Sequence, residues 1–159
     1  MLSRTDTVLS VFFDAMRNGY AKEGIKKGKI AELPGSKTIP FAAGNFTLLD
    51  CYLVTPLHPH SFGQTIIWCD NVPVWVMSYQ GWYLESAIPF LKRALWEAYD
   101  HRDFFGGRGP HFFTEDGMTY VNNVEPPNDW RHFRGCEEIF DRNGQSVGWH
   151  EYQGLLLAG

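Results

Sequence analysis

Two stretches of the chain carry the same pattern of strands and turns. Residues 65–84 read TIIWCDNVPVWVMSYQGWYL and residues 138–157 read EIFDRNGQSVGWHEYQGLLL, so each places Tyr-Gln-Gly behind a hairpin pattern. The turn of the second stretch is Asn143-Gly144. This dipeptide is the strongest short hairpin signal, because both central residues of a type I′ turn need positive φ. The pattern predicts two similar antiparallel meanders, one after the other.

Helical and strand patterns precede each stretch. Residues 5–16 and residues 86–100 carry apolar side chains at helical spacing, and Ser86 is placed to cap the second helix. Residues 45–53, NFTLLDCYL, are rich in strand formers, and residues 117–124 align with them. Each hairpin is therefore predicted to follow one helix and one further strand.

These patterns predict an α+β fold built by tandem duplication of a helix-plus-three-strand unit. Repeat one spans about residues 5–84 and repeat two about residues 86–157. We expect the two meanders to join into one curved antiparallel sheet with both helices packed on it, and a cleft between the repeats. At 159 residues the chain has the length of a single domain, residues 1–159.

Glycines and prolines divide the remaining segments. Residues 19–44 are predicted to form a loop with a short strand near Ile30, and residues 55–61, TPLHPHS, are predicted to form a second loop. Residues 106–110, GGRGP, are interpreted as a chain reversal, because they lack the lysine and hydroxyl residue of a phosphate-binding P-loop.

Composition and charge favour a sheet-rich fold and argue against some classes of partner. Aromatic residues make up 16% of the chain, which favours a sheet or an aromatic-lined cavity over a helical bundle. The formal net charge of −4 argues against nucleic acid as a partner, and the basic run KEGIKKGK at residues 22–29 is interpreted as a solvated loop.

Cysteine usage and hydropathy predict the cellular compartment of the protein. The three cysteines form no close pair and leave an odd one over, which is not typical of secreted disulfide frameworks: Cys51, Cys69 and Cys136. The first 16 residues are interrupted by Asp6 and Asp14, so we expect no signal peptide. No apolar run approaches the roughly 18 residues that cross a bilayer. We predict a cytoplasmic protein without a membrane partner.

Three carboxylates are the candidates for acid/base chemistry. Asp50 lies in the middle of a predicted strand, and Glu137 and Glu138 directly precede the apolar pair Ile139-Phe140. Adjacent residues of a strand point to opposite faces, so one glutamate is expected to face inward. Buried carboxylates shift their pKa and serve as acid or base. Pairing with cations such as Arg131, Arg134 or Lys92, or exposure to water, is the better explanation of these three.

Other catalytic and metal motifs are missing. His58-Pro59-His60 is the densest histidine cluster, but proline enforces extended geometry and no further ligand pattern accompanies it, so no metal and no cofactor is predicted. Cys136 precedes two glutamates, which raise rather than lower a thiol pKa. No Gly-x-Ser-x-Gly elbow is present.

Several motifs together resemble a known domain family. They are LPGSK (33–37), GNFTLLDCY (44–52), PVWVMSYQG (73–81), FLKRAL (90–95), RGP (108–110) and FRGCEEIF (133–140). In this order they are similar to a bacterial family of domains of unknown function, whose members occur alone or behind a helix-turn-helix DNA-binding domain in transcriptional regulators. The resemblance implies a sensing or protein-contact module. Gln64-Thr65 stands where the family tends to carry acidic residues, which argues against a symmetric two-carboxylate mechanism.

The leading hypothesis is a binding or sensing module for a small ligand or a protein partner. Its site is expected in the cleft between the repeats, with five candidate residues: Asp50, Trp75, Tyr79, Glu138 and Tyr152. Core packing is the stronger explanation for the aromatic members. The alternative is a small acid/base enzyme, a hydrolase or isomerase, that uses Asp50 and Glu138. A third hypothesis is a homodimer formed through apolar strand faces.

Overall fold

The structure is a computed structural model that describes residues 4–158, with the side chains of residues 7–158. Helix α1 (Arg4–Arg17) precedes a first meander, β1 (Ser36–Ala43), β2 (Phe46–Thr55), β3 (His58–Cys69) and β4 (Val72–Tyr83). A short 3-10 turn, Glu85–Ala87, leads into α2 (Ile88–His101). The second meander follows as β5 (Phe112–Glu115), β6 (Met118–Val124), β7 (His132–Phe140) and β8 (Ser146–Leu156).

All eight strands form one antiparallel sheet. Their order is β1-β2-β3-β4-β8-β7-β6-β5, so each meander runs from an outer strand to the middle of the sheet. The two meanders meet where β4 pairs with β8, and Tyr79 there lies directly opposite Tyr152. We call this pairing the central seam.

The predicted fold class is wrong. The chain is mostly an eight-stranded antiparallel sheet with two short helices, and not an α+β fold made of duplicated helix-plus-three-strand units. Each meander has four strands rather than the predicted three, since β1 and β5 were not predicted. Residues 55–61 form no loop either, since β2 ends at Thr55 and β3 begins at His58.

Prolines explain why β1 and the beginning of β3 were not predicted as strands. Pro40 lies within β1, opposite Leu49, and β1 is an outer strand of the sheet, where a residue without a backbone N–H is tolerated. Pro59 lies in an irregular part of β3, where the pairing with β2 shifts between Val54 and Thr55. Both prolines occupy places that sheets accept, so they do not interrupt the strands.

Both helices and the sheet share one hydrophobic core. Phe12 of α1, Leu91 of α2 and Ile139 of β7 are all essentially inaccessible to solvent. Trp75 of β4 lies among them, with its ring centroid 5.2 Å from that of Phe12. Its indole N–H donates a hydrogen bond to the Trp130 carbonyl at 2.9 Å. No helix in the described part of the chain is long and apolar enough to span a membrane.

Candidate functional site

The core face of the sheet also carries polar side chains. Asp50 of β2 lies opposite Thr65 of β3, and Glu137 of β7 lies opposite His150 of β8. All four of these side chains are buried. Strand pleating therefore brings polar groups from both meanders to the side of the sheet that the helices cover.

A cavity of about 200 Å³ lies at this face. Residues of both helices, of β2, β3 and β4, and of the loop after α2 line it, and β8 contributes His150. Its walls hold five tyrosines: Tyr20, Tyr52, Tyr79, Tyr83 and Tyr99. Its charged lining consists of Lys27, Lys37, Asp50, Lys92 and Arg108.

A buried ion pair anchors one side of the cavity. The Arg108 guanidinium donates to Oε1 of Glu137 from Nε at 3.0 Å and from Nη2 at 2.5 Å. The hydroxyl of Tyr83 donates to the same oxygen, and the hydroxyl of Tyr120 donates to Oε2. The Tyr120 oxygen in turn accepts the backbone N–H of Gly109 at 2.9 Å. Both carboxylate oxygens of Glu137 are thus engaged by donors.

These contacts fix the charge states of the pair. Burial alone would raise the pKa of Glu137, but the adjacent Arg108 charge and the hydrogen bonds hold that pKa below its usual value. Burial would lower the pKa of Arg108, yet Glu137 raises it well above the ordinary value. Glu137 is therefore an ionised structural partner of Arg108 and not a proton donor.

Asp50 occupies a different environment. Its Oδ1 accepts hydrogen bonds from the Tyr79 hydroxyl and, at 3.2 Å, from the Thr65 hydroxyl. Burial raises the pKa of Asp50, although these hydrogen bonds and the Arg108 charge oppose the shift. The Arg108 guanidinium lies 5.6 Å from the centroid of the Tyr79 ring, which connects the two acidic groups through a cation–π contact.

His150 completes the buried polar set. Its ring stacks on Tyr83 with centroids 4.1 Å apart, and its Nε2 lies 3.3 Å from the Ser61 hydroxyl. Burial lowers the pKa of His150 to about 4, and Arg108 adds to this shift while Glu137 opposes it. The imidazole is therefore neutral at pH 7.

The low pKa of His150 predicts acid sensitivity. In the unfolded chain His150 is protonated below its ordinary pKa of 6.5. In the folded protein it is protonated only near pH 4. The free energy of unfolding should therefore decrease as the pH is lowered from about 6.5 to about 4, by up to about 3 kcal/mol. Urea titrations of wild type and His150→Gln between pH 7 and pH 4 measure the effect.

The control for this titration is His132→Gln, which removes an exposed histidine of β7. Asp50 acts with the opposite sign, because a raised carboxyl pKa makes stability fall as pH rises. Comparing His150→Gln with wild type at each pH cancels that contribution. Identical pH profiles for wild type and His150→Gln would contradict the prediction.

The structure separates the five residues predicted from the sequence. Asp50 and Tyr79 both line the cavity and contact each other. Trp75 and Tyr152 are buried and do not line it, and the Tyr152 hydroxyl donates to Asn122 at 2.5 Å. Glu138 is half-buried on the opposite face of β7. The structure therefore does not bring Asp50 and Glu138 together.

Sequence reasoning missed most residues of the site, and Lys27, which lines the cavity, was interpreted as part of a solvated loop. Arg108 was interpreted as part of a chain reversal, and Tyr83 and His150 were not selected as site residues. The inward glutamate is Glu137, which is 0% exposed. One signal could have found Arg108: a single cation beside four glycines and prolines, GGRGP, in a chain whose buried carboxylate needs a partner.

The described side chains form no metal site. No group of three or more histidine, cysteine, aspartate or glutamate residues in that part of the chain is arranged to hold a metal ion. His58 and His60 stack with ring centroids 4.1 Å apart. The densest histidine cluster of the sequence therefore forms a ring-stacking contact.

Comparison with known proteins gives one match. A family model described as "Domain of unknown function (DUF5680)" matches residues 58–157. The matched part contains Tyr79, Arg108, Glu137 and His150, whereas Asp50 and Lys27 precede it. Neither the curated proteins nor the solved structures contain a significant match.

Proposed function

The chain belongs to the family of domains of unknown function DUF5680, and we propose from its site that it is a binding module for a small ligand. The ligand occupies the cavity between the helices and the first meander. The observation that carries the proposal is the cavity itself, about 200 Å³ beside the buried groups Asp50, Arg108 and His150.

The size and the walls of the cavity suit a small ligand. An apolar cavity of about 150 Å³ is large enough to hold benzene. A cavity of about 200 Å³ therefore has room for a ring and a small substituent. Its aromatic walls and few convergent polar groups are typical of ligand sites.

The geometry favours binding over acid/base catalysis. Among the described residues that line the cavity, Asp50 is the one carboxylate. Glu137 is held ionised by Arg108, and Glu138 belongs to the other face of the sheet. The acid/base hypothesis needs Asp50 and Glu138 near the same substrate atoms, and Glu138 does not line the cavity. That arrangement is not supported by these contacts.

The setting that fits this proposal is the cytoplasm, because the odd, widely spaced cysteines do not resemble a secreted disulfide framework. The resemblance to domains fused behind helix-turn-helix regulators supports a sensing role, in which a protein partner responds to the bound ligand.

Blocking the mouth of the cavity tests the proposal. Val54 lines the cavity and is 37% exposed, so Val54→Trp adds a large ring there without displacing a packed core residue. We expect ligands that shift the NMR signals of Tyr79 and Tyr83 in wild type to bind at least about tenfold more weakly to this variant. Native mass spectrometry of freshly purified protein should also show a retained ligand for wild type and less for Val54→Trp.

The matched control is Val72→Trp, which makes the same change at an exposed valine outside the cavity lining. This variant should bind as wild type does. Equal binding by wild type and Val54→Trp, or a fragment screen in which no compound shifts a cavity signal, would overturn the proposed function.

A further inference from the structure

We infer that the ligand of the cavity is a small organic anion, a planar ring that carries a carboxylate or similar acidic substituent. This inference rests on the proposed function and adds the chemical class of the ligand. It follows from the charges of the lining, from the absence of ion-pair partners for its lysines among the described residues, and from the aromatic and apolar side chains of the walls.

The lining is positively charged in a protein that is acidic as a whole. Lys27, Lys37 and Lys92 face the same cavity as one carboxyl group, that of Asp50. Arg108 adds no net charge, because Glu137 neutralises it. The chain carries a formal net charge of −4, so this local excess of cations is not a general property of the surface. Such a concentration of one sign attracts ligands of the opposite sign.

These three lysines, which we call the lysine cluster, have no ion-pair partner within the described residues. Six of the described arginines lie in ion pairs, for example Arg93 with Glu115 and Arg134 with Glu125, whereas the described lysines do not. No described carboxylate lies within ion-pair distance of the lysine cluster. Burial lowers the pKa of Lys27, and repulsion from Lys92 and Lys37 lowers it further. An anion bound among them would relieve this repulsion.

The positions of the ammonium groups exclude a cationic ligand. A set of tyrosines is otherwise typical of sites that bind quaternary ammonium groups. Here the ammonium groups of Lys27 and Lys92 already contact the tyrosine rings Tyr20 and Tyr52. The Lys27 ammonium lies 5.0 Å from the Tyr20 centroid and 5.5 Å from the Tyr52 centroid, and Lys92 lies 4.8 Å from the Tyr20 centroid. A second cation would meet like charge at the same ring faces.

The remaining walls favour a planar apolar body. Tyr79, Tyr83 and Tyr99 offer rings, and Met77 and Leu95 offer buried apolar side chains. Aromatic rings pack favourably against other aromatic rings in offset or edge-to-face geometry. The ligand is thus expected to place its ring among these residues and its acidic group at the lysine cluster.

Matched pairs of compounds test the charge of the ligand. Isothermal titration calorimetry compares benzoate with benzamide, phenylacetate with phenylacetamide, and 4-hydroxybenzoate with 4-hydroxybenzamide. The members of each pair have nearly the same size and differ in charge. We expect each carboxylate to bind at least about tenfold more tightly than its amide, and the preference to shrink when salt is added.

Two double variants locate the effect. Lys27→Gln/Lys92→Gln removes two charges from the lysine cluster and should weaken carboxylate binding at least about tenfold, with little change for the amides. Lys26→Gln/Lys29→Gln removes the same number of charges from two exposed positions near Lys27 that do not line the cavity, and should leave carboxylate binding unchanged. Both variants have the same net charge, so a difference between them reports on the cavity. Thermal melts confirm that both are folded.

Each other outcome overturns the inference. Amides that bind as tightly as carboxylates would show that the cavity takes neutral ligands, and the proposed function would still hold. Carboxylates that bind equally to both double variants would show an adventitious surface site. If neither series binds to wild type, the inference falls, and the Val54→Trp comparison decides the proposed function separately.

Discussion

Arg108→Met is expected to lower the free energy of unfolding by about 3 to 5 kcal/mol. Glu137 would keep its 0% exposure and lose the cation beside it, so it would either stay charged without compensation or take up a proton. A carboxylate that has lost its partner keeps the cost of leaving water and loses the attraction that compensated for it. Urea denaturation followed by circular dichroism measures the change, which should appear in the midpoint of unfolding.

The control for this variant is Arg134→Met, which breaks the exposed ion pair with Glu125 and should cost less than about 1 kcal/mol. The double variant Arg108→Met/Glu137→Leu removes both charges and should recover much of the lost stability, because buried ion pairs are often replaceable by apolar residues. A loss of less than about 1 kcal/mol for Arg108→Met alone would show that Glu137 is not dependent on this cation.

Gly81→Ala is expected to cost about 3 kcal/mol or more, because Gly81 lies at the central seam, opposite His150. A Cβ there would approach the Trp149 carbonyl oxygen to 2.0 Å, and its φ of +152° is a conformation that residues with a side chain rarely adopt. The obstructing atom belongs to the backbone of β8, so relief requires the two meanders to move apart. Thermal and urea unfolding measure the loss.

Gly44→Ala separates the backbone conformation from the clash. Gly44 has a φ of +60° in the turn between β1 and β2, and a Cβ there would meet no atom within 4 Å. This control should cost only about 1 to 2 kcal/mol, the penalty of the left-handed conformation. Equal losses at Gly44 and Gly81 would contradict the importance of close contact at the seam.

Much of the local structure could be predicted from the sequence. Strand alternation alone puts Asp50 and Tyr52 on one face of β2, and both line the cavity in the structure. Helical spacing also located both helices to within a few residues. These properties depend on neighbouring residues, and local periodicity reports them directly.

The missing parts depend on contacts between distant residues. No local signal says that β1 is an outer strand, so Pro40 was read as a break. The choice between Glu137 and Glu138 depends on the exact register of β7, and a shift of one residue exchanges their faces. The pairing of Arg108 with Glu137 depends on where the loop after α2 meets the second meander. Trp75 is a further example, since the sequence pattern of a buried aromatic residue is the same in a packed core and in a pocket wall.

The central seam also bears on how the protein is synthesised. The first meander is complete once residue 83 is made, but the partner of β4 is β8, at residues 146–156. Until then the nascent chain presents β4 as an open edge, and its unpaired N–H and C=O groups can recruit strands of other molecules. Synthesis that stalls before residue 146 should therefore yield a chain that aggregates, even though its first four strands are intact.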